Sequence, residues 1–148
     1  MKHFLKTASA GAILLASFSA SAADIKPSVV FDMGGKFDKS FNEGVYNGVE
    51  KFKKETGIKY REFEVTNEAQ REQAIRRMAK RGSDIVLGIG FAQSDAVKKV
   101  AGEYPNGQFA IIDGFVIAPN VNAILFKEHE GSFLVGMIAA MKSKTGTV

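Results

Sequence analysis

The sequence predicts an α/β fold, a doubly wound parallel sheet, and three observations predict it. Short apolar runs alternate with longer segments whose apolar residues recur at helical spacing. The connections between them are only a few residues long. Glycine, or the turn Pro105-Asn106-Gly107, closes each of the first three helical segments. The resulting order, β-α-β-α-β-α-β-β-α, specifies a parallel sheet with helices on both faces and right-handed crossovers.

Each element follows from its residues. Ser28-Val29-Val30-Phe31 is a continuous apolar run, as expected of a strand covered on both faces. Past Gly34 and Gly35, Ser40 and Glu43 have capping-box spacing, so Ser40 is expected to cap a helix and Glu43 to reach back to its backbone. Val45, Val49 and Phe52 give that helix a stripe at i, i+4, i+7, and Gly57 ends it. A second strand is predicted over 59–65. A helix then starts at Thr66 or Asn67, with Ile75, Met78 and Ala79 buried and Arg71, Arg76, Arg77, Lys80 and Arg81 on its outer face. Residues 84–91 make the third strand, Gln93 or Ser94 opens a third helix, and 109–112 make the fourth strand. A fifth strand over 121–126 and a helix from Glu130 to about Lys142 complete the chain.

Composition fits one globular domain: 148 residues, 45% hydrophobic, 24% charged, without cysteine or tryptophan. Residues 1–22 read as a signal peptide. Lys2 and Lys6 precede an apolar stretch over 8–18, and Ala20-Ser21-Ala22 offers a cleavage site near Ala22-Ala23. Setting Lys2 and Lys6 aside leaves 18 basic side chains of the 20 against 16 acidic ones, too even a balance for a nucleic-acid partner. A soluble periplasmic protein without a direct membrane anchor is expected, since no cysteine is present to carry a lipid.

Three loops at strand carboxyl ends, 32–42, 90–94 and 113–116, should meet at one sheet edge, where open α/β sheets bind ligands. They carry Asp32, Asp38, Asn42, Gln93, Ser94 and Asp113 beside Phe37, Phe41, Phe91 and Phe115. Carboxylates and an amide beside flat aromatic faces suit a planar, neutral, hydrogen-bonding ligand. An acid at the end of a buried strand needs a partner, which points Asp32 and Asp113 toward binding. Asp38 more simply caps a turn, and Phe41 is equally a core residue or a stacking ring. Gly88 and Gly90 lack the third glycine of a dinucleotide loop, so no cofactor is expected. His129 has no second histidine at metal spacing, and no Gly-x-Ser-x-Gly elbow exists, so neither a metal site nor an enzyme is expected.

The segments DMGGKFDKSFNEGVYNGVEKF, GSDIVLGIGF, YPNGQFAIIDG and FKEHEGSFLVGMIAAMKSKTG resemble the basic membrane protein family of ABC-transporter substrate-binding proteins, which includes purine nucleoside receptors. The resemblance implies a type I periplasmic-binding-protein fold, two α/β lobes with ligand held between them, and an ABC permease of the inner membrane as partner. It implies a purine nucleoside as ligand, with Phe41 stacking on the base, Asp32, Asn42 and Asp113 as polar contacts, and Phe91 lining the pocket. On this reading 23–127 form a first, incomplete lobe, and 128–148 the crossover and first helix of a second lobe that is largely missing. The isolated chain is therefore expected to bind nucleoside weakly or undetectably. A sugar or signal-molecule receptor of the same fold is the nearest alternative, a non-functional fragment another, and an exported hydrolase a more distant one.

Overall fold

The computed structural model describes residues 25–148, so the expected signal peptide lies outside the described residues. Five parallel strands form one sheet: β1 (Pro27–Phe31), β2 (Arg61–Glu64), β3 (Ile85–Ile89), β4 (Gln108–Ile112) and β5 (Val121–Ile124), in the order β2-β1-β3-β4-β5. Four α-helices accompany them: α1 (Phe41–Thr56), α2 (Gln70–Lys80), α3 (Ser94–Glu103) and α4 (Glu128–Lys142). This is the doubly wound parallel architecture that the alternation predicts. A 3₁₀ turn, Phe91–Gln93, leads into α3.

Side-chain alternation along each strand divides the core between two faces. Val30, Val86, Phe109 and Ile111 pack with Ile75 and Met78 of α2 and with Val97 and Val100 of α3. Val29, Phe31 and Ile89 point the other way and are also fully buried, packed by Val45, Tyr46 and Val49 of α1, which are themselves only partly buried. β1 is buried along its whole length, as its unbroken apolar run requires. The β4–β5 crossover has no helix. Val116 enters the core, and the Asn120 amide donates toward the carbonyls of Ala101, Tyr104 and Gly107 at 2.9–3.1 Å, satisfying the end of α3.

Several boundaries differ from the sequence reading. α2 starts at Gln70, because the Gln70 Oε1 accepts from the Thr66 N–H and hydroxyl and residues 67–69 form a turn instead. β2 begins at Arg61 and β5 ends at Ile124. Gly57 ends α1 in the left-handed conformation at φ 74°, as predicted. α4 buries no residue against the rest of the chain.

Candidate functional site

Because β1, β3 and β4 are parallel neighbours, their carboxyl ends lie side by side and bring the three loops to one edge. Backbone bonds hold the loops together: the Gly90 N–H donates to the Ile112 carbonyl at 2.8 Å and the Asp113 N–H to the Ile124 carbonyl at 2.8 Å.

The first loop is built around Asp38. Its Oδ1 accepts from the backbone N–H groups of Ser40 and Glu43, and its Oδ2 from that of Asn42, at 2.8–3.1 Å. Burial pushes the Asp38 carboxyl up, but the three N–H groups prevail and hold it below the usual carboxylate range. This corrects the capping-box expectation. The Ser40 side chain makes no cap bond, and Glu43 reaches back to the Lys39 N–H at 2.9 Å. Lys39 sits at φ 57°, which turns the chain so that Asp38, three residues before the first residue of α1, takes the acceptor role.

Asn42 is buried at 3% exposure. Its Oδ1 accepts from the Asp32 N–H at 3.3 Å, and its Nδ2 donates to the carbonyls of Asp32 and Met33 at 3.3 and 3.4 Å. The amide thus ties the end of β1 to the first turn of α1.

Asp32 finds the partner that its position demands. Its Oδ1 accepts from Arg71 Nε at 3.1 Å, with the Arg71 side chain only 12% exposed. Arg71 therefore leaves the outer face assigned to it and lies at the strand edge, while Arg76 joins Glu72 and Glu103 across to α3. The signal that could have found Arg71 was in hand: a strand-end acid needs a cation, and α2 begins beside that edge. Gly90 stands against the other side of Asp32. At φ 93°, a Cβ there would lie 3.4 Å from Asp32 Oδ2.

Gln93 and Ser94 serve the backbone. Gln93 is fully buried and its Nε2 donates to the Val30 and Ile89 carbonyls, each at 2.9 Å, pinning β1 to β3. The Ser94 hydroxyl donates to the Phe91 carbonyl at 2.7 Å.

Asp113 closes β4 at φ 59°. Burial, followed by the hydrogen bond and charge of Glu128, holds its carboxyl above the usual carboxylate range. The aromatic rings stand outward: Phe91 is 73% exposed, Phe115 68% and Phe41 36%. Phe37 leans edge-on against Tyr46 at 5.1 Å, with Lys36 over both rings. Below Phe41, a groove lined by Gly44, Val45, Gly48, Val49, Ile112 and Phe126 runs along α1. These groups share one edge of the sheet: exposed phenylalanines, with Asp32 held by a cation and Asp113 beside a second carboxyl group.

A family model described as ABC transporter substrate-binding protein PnrA-like matches residues 25–148. Basic membrane protein A of Borreliella burgdorferi is 37% identical over 127 residues, covering 82% of this chain and 37% of that protein. The ABC transporter nucleoside-binding protein BmpA of Lactococcus lactis is 28% identical over 130 residues, covering 84% and 37%. Among solved structures, a solute-binding protein of an ABC transporter system from Aeropyrum pernix superposes with a TM-score of 0.73 at 33% identity, covering 78% of this chain and 32% of that one. The chain thus spans about a third of the length of these relatives.

Proposed function

The chain belongs to the PnrA-like family of ABC transporter substrate-binding proteins, and we propose that its carboxyl edge is one wall of a purine nucleoside site. In this reading Phe41 stacks on the base, Phe91 borders it, and Asp32 and Asp113 accept from base N–H or ribose hydroxyl groups. Asn42, committed to the backbone of Asp32 and Met33, shapes the loop that presents Phe41. The observation that carries the proposal is the arrival of two strand-end carboxylates and two outward phenylalanines at one edge. The nucleoside-binding name of the Lactococcus lactis relative supports the ligand class.

The opposite wall would come from a second lobe, of which α4 is the first helix, and closure of the two lobes would bury the ligand. Residues 23–127 would be the first, incomplete lobe. The partner would be an ABC permease in the inner membrane, with delivery from the periplasm. Among the described residues no helix is long and apolar enough to cross a membrane. The family is one of substrate-binding proteins, so the edge is read as holding its ligand unchanged.

One wall binds weakly. An aromatic pair contributes about 0.5–1.5 kcal/mol beyond its buried area, against the roughly 8 kcal/mol of a micromolar complex. Titrating the ¹⁵N-labelled chain with inosine tests the assignment. Amide shifts should be small, in fast exchange and confined to 32–42, 90–94 and 113–116, with none produced by glucose. Shifts elsewhere, or a response to glucose and none to inosine, would reject the nucleoside reading.

A further inference from the structure

Asp32, at the end of β1, is held from two sides. Asn42 of α1 takes its backbone: the Asp32 N–H donates to Asn42 Oδ1 at 3.3 Å, and the Asp32 carbonyl accepts from Asn42 Nδ2 at 3.3 Å. Arg71 of α2 takes its side chain, with Nε donating to Oδ1 at 3.1 Å. The pair is sheltered, the Arg71 and Asp32 side chains being 12% and 21% exposed. Among the described residues the other ion pair of Arg71 is with Glu68, at 3.8 Å. Glu68 is 79% exposed, so water competes for that contact and the cation belongs to Asp32.

One oxygen of the carboxylate is thereby used and one is left. Among the described residues Asp32 Oδ2 accepts no hydrogen bond, yet it is not sealed from solvent. The space beside it exists because residue 90 is glycine: a Cβ there would stand 3.4 Å from Oδ2 and 3.7 Å from the Asp32 Cβ. A carboxylate oxygen only accepts, so the group that meets Oδ2 is an O–H or an N–H. Without a partner, a strand-end carboxylate samples several rotamers. A ligand that must freeze one of them loses a factor of about two to ten in affinity. Here Arg71 does that ordering before the ligand arrives.

On the reading of this edge as a nucleoside wall, on which the inference depends, we propose that Arg71 is a positioning residue for the ligand. It meets no ligand atom itself. It fixes the Asp32 carboxylate so that Oδ2, in the gap left by Gly90, is the pre-aimed acceptor for one ligand donor. Loss of Arg71 therefore acts on binding through Asp32 and only through it. An ion pair that merely fastened α2 to β1 would change the melting temperature and leave ligand affinity where it was.

A double-mutant cycle on the 148-residue chain tests this, with inosine as the probe and amide shifts as the readout of Kd. Arg71→Met should weaken inosine binding about two- to tenfold, and Asp32→Ala should weaken it as well. In the Asp32→Ala background, Arg71→Met should cost nothing further. Arg71→Lys keeps the cation and loses the Nε–H, so its affinity should fall between those of Arg71→Met and the unsubstituted chain. It replaces Arg71→Met in the cycle if that variant fails to give a dispersed amide spectrum. Unchanged affinity on replacing Arg71 would overturn the positioning role and mark a purely structural pair. An equal loss in both backgrounds would overturn it too, by placing Arg71 itself on the ligand, as would unchanged affinity in Asp32→Ala. Those results leave the nucleoside reading standing. Absence of any inosine shift in the unsubstituted chain would overturn that reading, and the role of Arg71 with it.

Discussion

Asp38 organises the turn from the first loop into α1. One carboxylate receives three backbone N–H groups, so Asp38→Ala should lower the melting temperature clearly more than Ser40→Ala, whose side chain makes no cap bond. Equal losses in thermal denaturation would contradict that assignment. Its folded pKa lies below the unfolded value, so its contribution is present above about pH 3.9 and is lost as pH falls through the lower folded value. Asp113 has the opposite sign. Its folded pKa is raised by burial and by Glu128, so it favours folding most at acid pH, and that preference is lost as pH rises through the folded value. Asp113→Asn should therefore raise the melting temperature at pH 7, with the gap narrowing toward pH 3. Asparagine also tolerates the left-handed backbone at φ 59°. A lowered melting temperature at pH 7 would show that Asp113 stabilises the fold. If the gain appears and inosine-induced shifts fade in the same variant, the strain at Asp113 serves the ligand.

Elements were legible wherever periodicity was strong. The five strands and four helices follow from apolar spacing, because burial on one or two faces leaves a repeat in the sequence. What the sequence did not show depends on contacts between elements distant in the chain. Asn120 closes the end of α3, Arg71 reaches Asp32, and Gln93 locks β1 to β3, yet none of these pairings leaves a local pattern. The glycines Gly88 and Gly90, which look like part of a phosphate loop, have packing reasons instead. Gly90 takes φ 93° beside Asp32, and Gly88 lets α3 approach β3: a Cβ there would lie 2.8 Å from Val97 Cγ2. Gly88→Ala should accordingly destabilise the protein by about 1–3 kcal/mol, the usual range for overpacking. A guanidinium titration showing no loss would mean that α3 moves aside freely.

For the molecule as a whole, the two faces of the sheet are unequal. α2 and α3 seal one face, α1 packs on the other with side chains only partly buried, and α4 stands clear. The chain covers 37% of each of two relatives, and among the described residues the proposed ligand edge has a single wall. The edge itself was legible from three strand ends carrying Asp32, Asp113 and phenylalanines. The structure divides their neighbours into groups that face outward and groups, such as Asn42 and Gln93, that hold the backbone in place. The central claim is that the outward rings receive a purine. Saturation-transfer NMR with inosine tests it most directly, by irradiating the protein and reading which ligand protons respond. The account predicts the strongest transfer at the purine H2 and H8 protons, with most of it lost in Phe41→Ala. Transfer centred on the ribose, or transfer to the base unchanged in Phe41→Ala, would contradict it.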